Sequence, residues 1–328
     1  MRYPQPPRQQ GLFGALPPSD ADLVQPHAVA EWLRELAAKL PRSLRMGTSS
    51  WTFAGWRGIV YADRAREKAL SKHGLQAYAQ HPLLRTVGID RTFYAPILTE
   101  DFARYAAAVP GDFRFLVKAW GELLTPFSPV RGRRARKPNP LYLESSVALS
   151  RVLEPAIRGL DKKLGAILFQ FSPQGTEVTQ SPMLFAQRLQ TFLRALPQGP
   201  VYAVELRDPE LLTPHYVAAL DDCGAQHCYA VHSRMPSIEA QRLIAPLRGP
   251  VIARWMLQPG ASYDEAKERY EPFSQLKDPD PSSRAALAAL IREASSRELP
   301  VTLVVNNKAE GSAPLSVIEL AKTLVAAQ

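Results

Sequence analysis

The stretch Met46-Gly-Thr-Ser-Ser-Trp-Thr-Phe-Ala-Gly-Trp-Arg57 decides the fold. An apolar run, Leu44 to Ser49, ends there in small polar residues, two tryptophans and an arginine that a core does not require. Three further runs rich in β-branched and aromatic residues complete the first half of the pattern: Thr86 to Tyr94, Phe113 to Ala119 and Leu164 to Phe171. The second half comprises Val201 to Arg207, His227 to Ser233, Val251 to Leu257 and Val301 to Asn307. Between them lie segments of helical periodicity, predicted over Leu70 to His81, Thr99 to Val109, Tyr142 to Leu160, Pro182 to Leu196, Pro209 to Asp222, Ser283 to Arg297 and Pro314 to Ala327. The weakest is Ser237 to Ile244, at best a short helix.

Near-continuous apolar strands alternating with helices imply a parallel sheet covered by helices. Eight units in one series, with no Gly-x-Gly-x-x-Gly turn after the first strand, favour closure over a doubly wound open sheet. The expected fold class is therefore α/β, a single (β/α)8 TIM-type barrel. Residues 1–41 read as an N-terminal extension: a flexible start rich in Pro, Gln and Gly, then a helix over His27 to Leu40 that stops before Pro41. Residues 42–328 make the barrel domain, with irregular insertions at Leu123 to Leu141 and Gln258 to Ser282 expected on the C-terminal face.

Strand ends carry the chemistry in such barrels. The first strand brings Trp51 and Trp56, aromatic surfaces for stacking on a sugar or planar ligand or for anchoring the loop. In the second, alternation lets only one of Asp90 and Arg91 face the interior, and Asp90 in phase with Thr92 and Tyr94 is the set expected inward. Lys118 ends the third strand, as a snorkelling edge residue or as an anion-binding or acid–base amine. Gln170 ends the fourth. The fifth, Val204-Glu205-Leu206-Arg207-Asp208, places Glu205 and Arg207 on one face, as an ion pair or a ligand clamp, with Glu205 the candidate general base. His232 follows on the sixth. Arg254 sits inside an apolar seventh strand, where it must be paired or bind an anion. The eighth ends in Asn306 and Asn307, before a Gly311-containing loop that opens a helix near Pro314 and suits phosphate or carboxylate.

The chain has 328 residues and a formal net charge of +9. Much of the excess lies in Arg131, Arg133, Arg134, Arg136 and Lys137, a solvated loop on the ordinary reading and a polyanion site on the sharper one. Two cysteines, Cys223 and Cys228, without zinc-site spacing read as reduced thiols and point to the cytoplasm. No apolar run of membrane-spanning length occurs, so no membrane partner is expected. There is no His-Glu-x-x-His, Walker loop or Gly-x-Ser-x-Gly. No cofactor is predicted. A divalent-metal site from Glu205, Asp90 and His232 is geometrically allowed but short of ligands.

Taken together, these segments resemble the barrel family called domain of unknown function 72, or YecE-like. The resemblance rests on Gly47-Thr-Ser-Ser-Trp51 with Trp56, Thr92-Phe-Tyr94, Phe113-Arg-Phe115 with Lys118, and Leu168-Phe-Gln170 with Pro173. It continues through Ala203-Val-Glu205 with Arg207, then Arg254, then Asn306-Asn307 with Gly311 and Ala313. It covers residue 44 to the C-terminus and implies a TIM-type barrel, without supplying an activity. Three departures mark a divergent member: Gly88 and Asp90 where the family has Glu and Asn, Met256 where it has His, and Asp208-Pro-Glu-Leu without the usual His and Trp.

These readings converge on a small-molecule enzyme for an anionic or sugar-like substrate. Glu205, Lys118 and Asp90 are the catalytic candidates; Trp51, Trp56, Tyr94, Gln170, Arg207, His232, Arg254, Asn306 and Asn307 are the substrate-binding ones. The alternatives are a nonenzymatic ligand-binding or regulatory barrel and a protein that binds or processes nucleic acid.

Overall fold

The computed structural model describes residues 24–62, 66–129, 136–258, 260 and 262–326. Eight parallel strands close on themselves: β1 (Leu44–Thr48), β2 (Leu84–Ile89), β3 (Arg114–Lys118), β4 (Leu164–Gln170), β5 (Tyr202–Glu205), β6 (Gln226–Val231), β7 (Val251–Trp255) and β8 (Val301–Val305). Each pairs with its neighbours in sequence, and β8 returns to β1 with Leu44 opposite Val301 and Thr48 opposite Val305. The expected (β/α)8 barrel is the observed fold.

Every predicted strand is present, most of them ending earlier than expected. The run Thr86 to Tyr94 stops as a strand at Ile89 and turns into a 3-10 helix over Asp90–Phe93. Thr92 drives the turn, its hydroxyl lying 2.6 Å from the Ile89 carbonyl and also against that of Lys118. Strand alternation therefore does not govern Asp90, Thr92 and Tyr94, and Tyr94 is 82% exposed instead of inward.

The helix expected over Tyr142 to Leu160 begins at Ser145 and widens into a π turn at Leu149–Leu153 before resuming at Glu154–Leu160. Pro155 lacks the N–H for the ordinary bond to the carbonyl four residues back, and a local register slip accommodates it. The stretch Gln258 to Ser282, expected to be irregular, contains a helix at Tyr263–Tyr270. Its signature is Ser262-x-x-Glu265, in which the Ser262 hydroxyl accepts from the Glu265 N–H at 3.3 Å and contacts its carboxylate at 2.6 Å.

Ahead of β1, a helix at Glu31–Ala38 lies along the last helix, Ala313–Val325, and Lys322 approaches the Trp32 ring. Residues 25–27 run beside the first loop, where the His27 N–H donates to the Val60 carbonyl and the Ala62 N–H to that of Gln25. The Pro-rich start, residues 1–20, lies outside the described residues.

The main core sits between strands and helices. Inside the barrel is a smaller apolar layer that includes Leu116, Leu168, Ala203, Cys228, Ile252 and Val304. Two residues further along their strands, and so on the same inward face, come Lys118, Gln170, Glu205, Arg254 and Asn306. Ala230 stands opposite Arg254 in register, and its methyl leaves room for the guanidinium. Gly47 does the same for β1 and β2, since a Cβ there would meet the Thr86 carbonyl oxygen at 1.8 Å. The polar site thus rests on an apolar plug at the C-terminal ends of the strands.

Candidate active site

Glu205 is the buried centre of this layer. Arg254 Nη1 donates to its Oε2 at 2.7 Å, and Arg207 Nη2 pairs with its Oε1 without hydrogen-bond alignment. Arg254 also extends Nη2 to Asp90 Oδ2 at 3.1 Å, so one guanidinium joins β5 to the turn after β2. Burial pushes the Glu205 carboxyl up, but the charges of Arg207 and Arg254 outweigh it and hold the pKa at about 2. Burial works against charge on Arg254 as well, yet Glu205 and Asp90 raise it well above the usual value.

These contacts change the expected role of Glu205. This carboxylate has no exposed surface, is gripped by two guanidinium groups and lies beneath the cavity rather than in its wall. Its place here is to hold two arginines.

Lys118 is the contrasting case. Its Nζ lies 3.7 Å from the centroid of the Phe93 ring, and no carboxylate comes within 4.0 Å of it among the described residues. Phe93 is held in turn by Gly121, where an added Cβ would come 2.8 Å from the ring. Burial lowers Lys118 to about 8; Arg254 and Arg207 add to this, and Asp90 and Glu205 oppose it.

Above the network is a cavity of 370 Å³, the scale of a small-molecule site. It is lined by Asp90, Tyr94, Lys118, Gln170, Arg207, His232, Arg254 and Asn306, together with Ser172, Pro173, Arg234, Met256, Leu257 and Tyr263. Four cations, Lys118, Arg207, Arg234 and Arg254, face two carboxylates, Asp90 and the deeper Glu205. Among the described residues, Arg207 Nη1 and Arg254 Nε have no hydrogen-bond acceptor. His232 is kept neutral near pH 7, first by burial and then by Arg207, at about 4. Asn306 Nδ2 donates to Ser49 Oγ at 2.9 Å.

A second recess of 450 Å³ shares Asp90 with the first. Its walls are Ser49, Ser50, Trp51, Thr52, Gly88 and Arg91, with Ser71, Ile89 and Tyr105. Trp51 stands here edge-on to Tyr105, its ring centroid 5.1 Å away.

Two expected ligand contacts lie elsewhere. Trp56 has no exposed surface, and its indole N–H donates to Asn307 Oδ1 at 3.1 Å. The same Asn307 oxygen accepts from the Ala313 N–H at 2.8 Å, while its buried Nδ2 has no acceptor among the described residues. The Gly311 loop is not open to an anion either: Glu310, Gly311 and Ser312 are buried beneath residues 275–280, where the Lys277 N–H donates to the Glu310 carbonyl. Arg234 and Tyr263 line the cavity and were missed from the sequence; the capping signature at Ser262 was the available signal for the second.

Arg136 pairs with Glu177 and stacks near Phe127, beside an exposed Lys137, while Arg131, Arg133 and Arg134 lie outside the described residues. Among the described residues no group of three or more His, Cys, Asp or Glu could hold a metal ion. Both cysteines are free thiols, and burial pushes Cys228 well above its usual pKa. No described helix is long and apolar enough to cross a membrane.

Closed parallel barrel and polar layer together define a TIM-type barrel of the α/β class. The family model for Protein of unknown function DUF72 matches residues 45–328, and the chain belongs to that family. Its fold is similar to that of a DUF72 family protein from Enterococcus faecalis V583, with 20% identity and a TM-score of 0.58 over 86% of this chain and 95% of that one. A DUF72 family protein from Thermotoga maritima MSB8 is also similar, with 20% identity and a TM-score of 0.54 over 86% of this chain and 98% of that one. Among curated proteins there is no match.

Proposed function

We propose that the chain is an enzyme acting on a small anionic, sugar-like molecule. The observation that carries this reading is a cavity wall in which Lys118, Arg207, Arg234 and Arg254 outnumber the one lining carboxylate, Asp90. A carboxylate or phosphate oxygen would meet their donors in charge-assisted hydrogen bonds. The hydroxyl-rich recess beyond Asp90 supplies partners for a polyol portion, and Asp90 would stand between the two parts of the ligand. Lys118 and Asp90 are the groups for proton transfer, because Glu205 is committed to its arginines.

Calorimetric titration with inorganic phosphate, a sugar phosphate and the parent sugar tests the reading. Binding should follow the order sugar phosphate, phosphate, sugar, and Arg207→Gln should weaken the two anions at least tenfold, about 1.4 kcal/mol. Equal affinity for all three, or an unchanged Arg207→Gln variant, would sink it.

A nonenzymatic barrel is the second reading, favoured by the locked carboxylate and by Met256 at the cavity wall. A bound sugar phosphate recovered chemically unaltered after prolonged incubation would support it.

A further inference from the structure

We propose that Lys118 is a nucleophile that forms an imine with small carbonyl compounds carrying a carboxylate or phosphate. This rests on the anion-pocket reading above and adds to it a covalent step. The argument begins with what Lys118 lacks. Lysines at protein surfaces are solvated and those in cores are paired, whereas this one lines a cavity, is half-buried and has no carboxylate within 4.0 Å among the described residues. The amine sits against the Phe93 face, 3.7 Å from Nζ, which fixes position without accepting a proton. Three arginines share the cavity, and the charges of two of them, Arg254 and Arg207, discourage a further charge on Lys118.

The second part concerns the ligand. An oxygen anion on Arg207 would lie in the same 370 Å³ space as the amine, so a two- to four-carbon acid or phosphate could place its carbonyl at Nζ. Asp90 lines that space and is the carboxylate whose charge acts most on Lys118. The step then balances without an outside reagent. The ammonium gives one proton to Asp90 through an intervening water, and the freed nitrogen pair attacks the carbonyl carbon. A second N–H proton passes to the oxygen, giving a carbinolamine. Asp90 returns its proton to that hydroxyl, the C–O bond breaks, water leaves, and the nitrogen keeps its third proton as an iminium. Nothing is oxidised or reduced.

Lys308 supplies an internal comparison. It too is buried against aromatic rings, 4.1 Å from Tyr263 and 5.7 Å from Phe273, and burial lowers its pKa. It does not line the cavity. Desolvation alone would make both lysines reactive, while the pocket selects Lys118.

The test is reductive trapping on the full-length chain. Pyruvate, glycolaldehyde phosphate and uncharged hydroxyacetone are each incubated with cyanoborohydride, and adducts are located by peptide mass spectrometry. The expected result is one adduct per chain at Lys118 with the two anions, at least about tenfold above Lys308 and every surface lysine, and loss of that adduct in Lys118→Arg. Equal labelling of Lys118 and Lys308, or of Lys118 by hydroxyacetone and pyruvate, would overturn the proposal. Should Lys118→Arg not fold, competition serves instead: excess phosphate should suppress Lys118 labelling and spare surface lysines, and failure to do so counts against it. No Lys118 adduct despite Arg207-dependent phosphate binding would remove the imine and keep the pocket. Phosphate binding that is indifferent to Arg207→Gln would remove the pocket reading itself.

Discussion

Trp56 and Asn307 are 251 positions apart in the chain, and the indole N–H of the first donates to the side-chain oxygen of the second at 3.1 Å. The bond ties the loop after β1 to the loop after β8, across the seam where the barrel closes. The same oxygen takes the Ala313 N–H at the start of the final helix, so a single amide serves two segments. Removing it leaves two buried donors without an acceptor. Asn307→Ala should therefore cost about 2–4 kcal/mol in denaturant unfolding, and Trp56→Phe, which removes one donor, roughly half as much. A loss below about 0.5 kcal/mol for Asn307→Ala would mean that the seam does not depend on this contact.

Arg254 holds Glu205 and Asp90 together. Arg254→Met should destabilise the fold by about 3–5 kcal/mol, because it removes one of the two cations that hold the fully buried Glu205 carboxylate and frees Asp90. Adding Glu205→Gln should restore part of the loss. The check is a double-mutant cycle by chemical denaturation, with an expected coupling above about 1 kcal/mol. Additive losses would contradict the network.

Acid stability follows from buried groups, chief among them His227 and Glu205. Burial holds His227 at about 4, below its usual 6.5, so the unfolded chain takes up more protons than the folded one between these values. Glu205 is at about 2 against 4.5, which has the same sign at lower pH. Stability should thus be full above about pH 6.5 and fall on acidification, first through the histidine window and then between pH 4.5 and 2. His81 and His232 are held at about 4 as well and act in the same window, so His227→Gln should make the upper limb shallower without abolishing it and leave the lower. Melting temperatures read across pH 7 to 3 decide this; an upper limb unchanged by the substitution would exclude His227 as its source.

Gly88 lines the second recess, and a Cβ added there would meet Ser49 Cα at 3.2 Å and Asp90 Oδ1 at 3.3 Å. Gly88→Glu restores the residue type of the resembled motif and should fill the recess. Sugar-phosphate affinity should drop toward that of inorganic phosphate, about tenfold, while phosphate binding itself is retained. Calorimetry that finds both ligands equally weakened would mean that the two recesses are not separate subsites.

How legible the site was in the sequence depended on backbone regularity. Lys118, Gln170, Glu205, Arg254 and Asn306 each lie two residues beyond an inward apolar position, so period-two alternation was enough to place them. Trp56 and Asn307 were singled out for residue type, and type does not say whether a side chain meets a ligand or closes a seam. Tyr94 was placed by carrying strand alternation past Ile89, where the Thr92 hydroxyl ends the strand. Arg234 and Tyr263 reach the cavity through turns whose course is set by distant contacts; the Arg234 Nε–H, for example, donates to the Arg207 carbonyl. The role of Glu205 was hidden for a related reason. A carboxylate and an arginine on one face can pair with each other or share a ligand, and only the second arginine, from β7, decides between them.

The contact of Phe93 with Gly121 makes a glycine the element that aims the amine. With hydrogen alone at position 121, the far end of the phenyl ring can sit close against the chain after β3 while the ring packs against Lys118. Any larger residue there would lift the ring and push Nζ toward Asp90 or out of the cavity. The reactivity of the lysine is in this sense tuned from outside the pocket, by a position that touches neither the ligand nor the charged network.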